Sequence, residues 1–299
     1  MIIRSGARPW PVTGAAVGAM CISASPVLFL LAHVEPVAAT FYRCALPLPV
    51  LGVLALAERR RLGPRPVAGR AWAVLAGLFW AINLVLWLHS IADVGAGAAT
   101  VLGNLQVLFV AAFAWPVLRE RPDRRFTVAV PVVLLGVALV SGVLGRAGTA
   151  EHPLAGVTAG LAASAAYACF LLVIRQTAGE ARHVAGQLFD ATAGAAVGAL
   201  LLGLALGGLH LAIPWPSLGW LLILTLTSGI IGWLLITWSL PRMPAALSAL
   251  VLLLEPAGAL VLADLVLGQR PSLLQVAGAA LVCGGVLVAA RGPAKRHGT

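Results

Sequence analysis

Residues 95–122, GAGAATVLGNLQVLFVAAFAWPVLRERP, are echoed without a gap by residues 244–271, PAALSALVLLLEPAGALVLADLVLGQRP, at a constant offset of 149. The echo runs on from Arg121-Pro122 and Arg270-Pro271 to the pairs Gly136-Val137 and Gly285-Val286. Two halves of one chain therefore share a plan. The offset sets Gln106 opposite Glu255, two polar side chains near the middle of apolar runs, where a residue without a task is normally a hydrocarbon. In a membrane protein, that pairing points at a binding site.

Hydrophobic residues make up 61% of the 299-residue chain and charged residues 10%, a composition outside the range of soluble domains. Apolar runs of about 20 residues, each enough to cross a hydrocarbon core as a helix, recur down the whole sequence. Ten are expected, with cores at Val12–Ala32, Pro36–Ala57, Ala71–Ile91, Gly95–Leu118, Phe126–Leu144, Leu154–Ile174, Val184–Gly207, Leu218–Leu240, Ala245–Leu267 and Leu273–Ala290. In lipid every backbone polar group must be satisfied within the protein, and no short alternating strands are present to build a barrel. The expected fold is an all-α membrane protein.

The net charge of +10 raises the question of nucleic acid, and its placement answers for the membrane instead. With a cytoplasmic amino terminus, the inside segments hold 17 of the 20 basic residues, among them the cluster Arg59, Arg60, Arg61, Arg65 and Arg70. The outside loops hold only Arg146 and Arg270, and Arg43 lies within a span. This asymmetry places both termini in the cytoplasm. Cys21, Cys44, Cys169 and Cys283 are dispersed over four spans without metal-ligand spacing, so no metal, disulfide framework or cofactor is expected.

Gly14-Ala-Ala-Val-Gly18 opens the first span and Gly156-Val-Thr-Ala-Gly160 the sixth, an offset of 142, so the repeat reaches the start of each half. Five spans plus five makes the second copy enter the membrane from the opposite side. That gives two inverted five-helix repeats around a central cavity, over residues 1–150 and 151–299, an arrangement suited to alternating access. The Gly-x-x-x-Gly pairs read as close helix packing.

The chain resembles the drug/metabolite transporter superfamily, in its form with two EamA domains. The resemblance rests on Phe41-Tyr42-Arg43 in an early helix pair, the Arg cluster after the second span, and the turns Glu120-Arg121-Pro122 and Gln269-Arg270-Pro271, each followed by a Gly-Val pair. Leu254-Glu255-Pro256 in the ninth span completes it. The resemblance implies a secondary transporter, often an exporter of amino acids or other small metabolites, with a central cavity walled by both halves and the fifth and tenth helices at the periphery. The first half carries Gln106-Val107 where the second carries Glu255-Pro256, so the proline break is expected in the ninth span alone.

Glu255 lies about ten residues into the ninth span, roughly 15 Å by helical rise and near mid-membrane. A carboxylate there is the candidate for substrate contact and proton coupling, and Pro256 removes a backbone donor beside it. Arg43 needs a partner; Asp264 is the first candidate, Glu255 or a substrate carboxylate the second. Trp80, Asn83 and Trp87 fall at i, i+3 and i+7 on one face of the third span, and Thr225, Ser228, Gly229 and Gly232 form a small polar stripe on the eighth. Asn104, Gln106 and Tyr167 complete the cavity candidates, Tyr167 corresponding to Ser25 in the first half. Asp190 reads either as lining an inner vestibule or as a carboxylate held by the helix macrodipole and Arg182.

The leading function is export of small metabolites, such as amino acids or amphipathic compounds, by alternating access. A passive uniporter of the same substrates and a non-transporting regulatory membrane subunit are the alternatives. A membrane-embedded enzyme would need a dyad or metal constellation inside the spans, and none is visible. The expected setting is a bacterial plasma membrane; the partners are the lipid bilayer and a small molecule, without nucleic acid, and the protein is a monomer or dimer.

Overall fold

A computed structural model describes residues 9–34, 36–118, 124–140, 153–177, 183–206, 212–267 and 272–290, and every regular element among them is helical. The first expected span is split into α1 (Pro9–Ser23) and α2 (Ser25–Ala32), and the second into α3 (Pro36–Ala45) and α4 (Leu48–Leu62). Then come α5 (Val67–Asn104), α6 (Gln106–Leu118), α7 (Arg124–Val140), α8 (Pro153–Thr177) and α9 (Val184–Leu206). The eighth span runs through α10 (Ser217–Leu224), a π-helical stretch at Thr225–Gly232 and α11 (Trp233–Ser239). The last elements are α12 (Ala245–Leu252), α13 (Leu254–Leu267) and α14 (Leu273–Ala290).

Five segments, Ala38–Leu62, Val67–Ser90, Leu154–Gln176, Val184–Ala205 and Ser217–Arg242, are long and apolar enough to cross a membrane, and shorter apolar helices accompany them. The sequence sets the third and fourth spans apart, whereas helical backbone continues from Val67 to Asn104. The packing shows where this helix turns. The Trp87 ring stands 3.5 Å from where a side chain on Gly103 would begin, and Ser90 and Leu102 both crowd Gly160, each 2.8 Å from a Cβ placed there. Residues 87 and 103 can meet only if the chain doubles back between them, so α5 is a helical hairpin rather than a rod.

Interruptions in the helices have identifiable causes. Pro26, Pro47 and Pro256 lack the N–H that would bond the carbonyl four residues earlier, and the chain breaks beside each, at Ala24, Leu46-Pro47 and Leu253. Leu105 is a break without a proline. There the Leu105 N–H bonds back to the Leu102 carbonyl at 3.1 Å, and the Ser164 hydroxyl of α8 donates to the carbonyls of Leu102 (2.5 Å) and Gly103 (2.9 Å). Both halves are thus interrupted at nearly matching places, by proline in one and by a serine from a neighbouring helix in the other.

The breaks lie against one another. Ser25 donates to Ser228 at 2.9 Å, tying the first break to the π-helical stretch. Gly229, in that stretch, faces Pro47, and Gly258 faces Ser23. Gly18 and Gly232 meet reciprocally: a Cβ on Gly18 would be 2.8 Å from the Gly232 carbonyl oxygen, and one on Gly232 3.1 Å from that of Gly18. These contacts join α1, the eighth span and α13 into one bundle. Asn83 donating to the Ala163 carbonyl at 3.0 Å, with the Ser164 bonds, joins both arms of α5 to α8.

Helices α7 and α14 form a pair whose contacts exchange under the 149-residue shift. A Cβ on Gly136 would be 2.7 Å from the Gly278 carbonyl oxygen and 2.9 Å from Val282; Gly285 in turn faces Val133 and the carbonyl of Ala129. The late part of α7 meets the early part of α14 and the converse, so the two are antiparallel.

Close approach at Gly18 leaves no room for a side chain. Gly18→Val is expected to cost about 1–3 kcal/mol through overpacking. Gly284→Ala, at an α14 position with nothing within 4 Å, is expected to leave stability unchanged or raise it. Thermal denaturation of the purified variants in detergent measures both.

Candidate functional site

The centre of the molecule is aromatic. Trp80 of α5 stacks on Phe170 of α8 with ring centroids 5.4 Å apart, and Trp233 of α11 closes on both, at 4.9 Å from Trp80 and 5.3 Å from Phe170. All three are buried, Phe170 completely. Offset and edge-on geometries of this kind add to the apolar burial that holds helices together. Tyr167, one turn before Phe170, packs 5.5 Å from it and begins a different environment.

Three ionisable or polar groups from three helices converge there. The Arg43 guanidinium of α3 sits 5.9 Å from the Trp80 ring centroid, in cation–π range, and is within electrostatic reach of Glu255 of α13 and of Tyr167. Each of the three is half-buried. Arg43 and Glu255 are both next to backbone interruptions, Arg43 one turn before Pro47 and Glu255 directly before Pro256. Irregular backbone at membrane depth is tolerated where it is buried in protein or lines a cavity, and both breaks meet that condition.

The sequence candidates divide into two groups. Arg43, Trp80, Tyr167 and Glu255 come together; the side chain of Asp264, the first partner expected for Arg43, lies outside the described residues. Asn83 is engaged with the Ala163 carbonyl, and Trp87 lies against Gly103. Asn104 is half-buried and Gln106 buried, on opposite sides of the Leu105 break. Ser228 is fully buried and receives the Ser25 hydroxyl. Its stripe packs against α1 through Gly18, α2 through Ser25 and the α3–α4 break through Pro47.

Asp190 has partners the sequence did not suggest. Arg65 bonds its carboxylate at 2.8 Å and Arg70 approaches it at 3.4 Å, while Arg182 lies outside the described residues. Beside this pair, Glu58 accepts from the backbone N–H groups of Ala185 (3.0 Å) and Gly186 (2.7 Å), satisfying donors left open in the first turn of α9. His183 meets the Gly63 carbonyl at 3.2 Å. The linker from Glu58 to Arg70 is thereby clamped to the start of α9. Phe170, Trp233 and Ser164 are further residues that sequence reasoning missed; only Phe170 carried a signal, its i+3 spacing from Tyr167.

A family model matches the chain twice, over residues 9–142 and 154–291, the two halves that the internal echo marks out. The chain belongs to the EamA-like transporter family. As a chain with two EamA units it is a member of the drug/metabolite transporter superfamily, membrane proteins that carry small molecules. A solved structure described only as "Crystal structure of protein" is similar to it at 20% identity, with a TM-score of 0.75, over 93% of this chain and 97% of that one. This likeness concerns the fold. No curated protein matches the chain.

In this EamA-family chain the Asp190 pair is a buried ion pair, with the Arg65 and Asp190 side chains only 9% and 7% exposed. Asp190→Asn strands a buried guanidinium and is expected to cost about 3–5 kcal/mol, the range for breaking a buried pair from one side. Lys substituted for the more exposed Arg70 is expected to change little. Apparent melting temperatures of the two variants separate these outcomes.

Proposed function

We propose that the chain is a secondary transporter that exports small metabolites, such as amino acids or amphipathic compounds, by alternating access around Arg43, Tyr167 and Glu255. The observation that carries this reading is the convergence of a cation, a carboxylate and a phenol from three helices, two of them interrupted beside the charged residue, on the edge of an aromatic layer. A guanidinium recognises a ligand carboxylate through paired hydrogen bonds, a carboxylate recognises an ammonium group, and Trp80 offers an apolar wall. A zwitterion with an apolar body has the matching chemistry. Asn83, Trp87, Asn104, Gln106 and Ser228 belong to the surrounding wall, which positions these groups.

The proposal extends to architecture. Ten spans in two inverted repeats, over residues 1–150 and 151–299, are supported by the exchange of α7 and α14 contacts and by interruptions at nearly matching places in both halves. Cytoplasmic termini in a bacterial plasma membrane are supported by the asymmetry of arginines. Glu255 is the group in this reading that takes up and releases a proton as the site is wetted from one side and then the other.

Flux of a zwitterionic amino acid into proteoliposomes tests the reading. Glu255→Gln is expected to reduce flux by about tenfold or more, the consequence of losing one charge-assisted contact, and to abolish any dependence on a proton gradient. Normal, gradient-dependent flux through that variant would remove Glu255 from the mechanism. Flux without gradient dependence in the unmodified protein would make it a uniporter.

A further inference from the structure

Helix α4 presents two faces. Leu51, Ala55 and Glu58, at i, i+4 and i+7, look inward: Leu51 is fully buried, and Glu58 accepts from the Ala185 and Gly186 N–H groups that open α9. Two outward rows run side by side, Val53, Leu56 and Arg60, and Leu54, Ala57 and Arg61, and every residue in both is exposed. Each row begins apolar and ends in a guanidinium. Arg59 stands beside them in the same last turn, also exposed, before Gly63 closes the helix.

The acids of this corner are already engaged. Glu58 serves α9, and Asp190 is taken by Arg65 at 2.8 Å with Arg70 at 3.4 Å. Among the described residues no carboxylate pairs with Arg59, Arg60 or Arg61. Three adjacent cations are thus left facing outward at the end of Ala38–Leu62, a segment long and apolar enough to cross a membrane. A soluble anion would meet the guanidinium groups and leave Val53, Leu54 and Leu56 uncovered. An anionic phospholipid, with a charged head on an apolar body, covers both.

We infer that Arg59, Arg60 and Arg61 bind the headgroup of an anionic phospholipid whose acyl chains lie along Val53, Leu54 and Leu56. A guanidinium sets paired N–H donors against phosphate oxygens, and the long arginine stem lets it reach headgroup level while covering apolar surface. A zwitterionic headgroup carries its own cation and is the poorer ligand. The bound lipid steadies the last turn of α4 and, through the neighbouring Glu58, the tie between the linker and α9. This site is separate from Arg43, Tyr167 and Glu255, and it stands whether or not the chain transports.

Native mass spectrometry of the full-length protein in mild detergent tests it, with dioleoyl phosphatidylglycerol and dioleoyl phosphatidylcholine as probes. Phosphatidylglycerol is expected to bind about tenfold or more tightly than phosphatidylcholine, and to raise the apparent melting temperature. Arg59→Gln, Arg60→Gln and Arg61→Gln together are expected to weaken phosphatidylglycerol binding by roughly tenfold to a hundredfold. Gln in place of Arg291, Lys295 and Arg296, the same charge change elsewhere in the chain, is expected to leave it nearly unchanged. If the triple variant does not stay monodisperse, Arg60→Gln and Arg61→Gln singly decide the matter, at about fivefold each. Equal loss in both triple variants marks general charge attraction and overturns the site, as does undiminished binding in the α4 variants or equal binding of the two lipids. Inorganic phosphate that raises the melting temperature as well as the lipid does would assign the arginines to a free anion and overturn the lipid reading.

Discussion

A backbone carbonyl freed inside lipid has to find a donor, and the rest of this fold is arranged around meeting that demand. Most helices meet it internally. Where proline removes a donor, at Pro26, Pro47 and Pro256, the interrupted stretches are gathered against each other and away from lipid. Where no proline intervenes, at Leu105, the Ser164 hydroxyl supplies the bond. The Arg175 guanidinium does the same for the end of the eighth span, and Glu58 provides the acceptor that the first turn of α9 lacks. Polar side chains in this membrane protein are spent largely on the backbone.

That pattern separates the groups of the proposed site from the scaffold. Asn83, Ser164 and Ser228 are all engaged in holding helices together, which an intramembrane polar residue does when its partner is a carbonyl or another hydroxyl. Arg43, Tyr167 and Glu255 lie within electrostatic reach of one another, half-buried at the edge of a buried aromatic layer. Proximity of opposite charges allows each to remain at membrane depth, and incomplete burial leaves them able to meet a ligand.

The sequence displayed the helical class, the duplicated halves and Glu255 with its proline, because these are properties of apolar run length, offset and a single residue's missing donor. It did not display the break at Leu105, whose cause arrives from a serine about 60 positions later. Nor did it display what the Ser228 stripe packs against, Ser25 of α2 and Gly18 of α1, both about 200 positions upstream. Asp190 shows the same limit: its basic partners Arg65 and Arg70 come from a linker far upstream, and nothing local distinguishes them from Arg182. Phe170 and Trp233 are ordinary apolar residues until tertiary packing stacks them on Trp80.

The α7 and α14 pair has a consequence for energetics. Its contacts map onto themselves when the two halves are exchanged, as in a self-complementary dimer interface. In a protein that alternates by letting its halves trade roles, such a contact has the same free energy whichever face is open. It can be as tight as glycine allows and still leave the equilibrium between faces untouched, because only differential interactions shift populations. In the proposed alternating-access cycle the pair is a neutral fulcrum, and any resting preference has to be written in the positions where the halves differ.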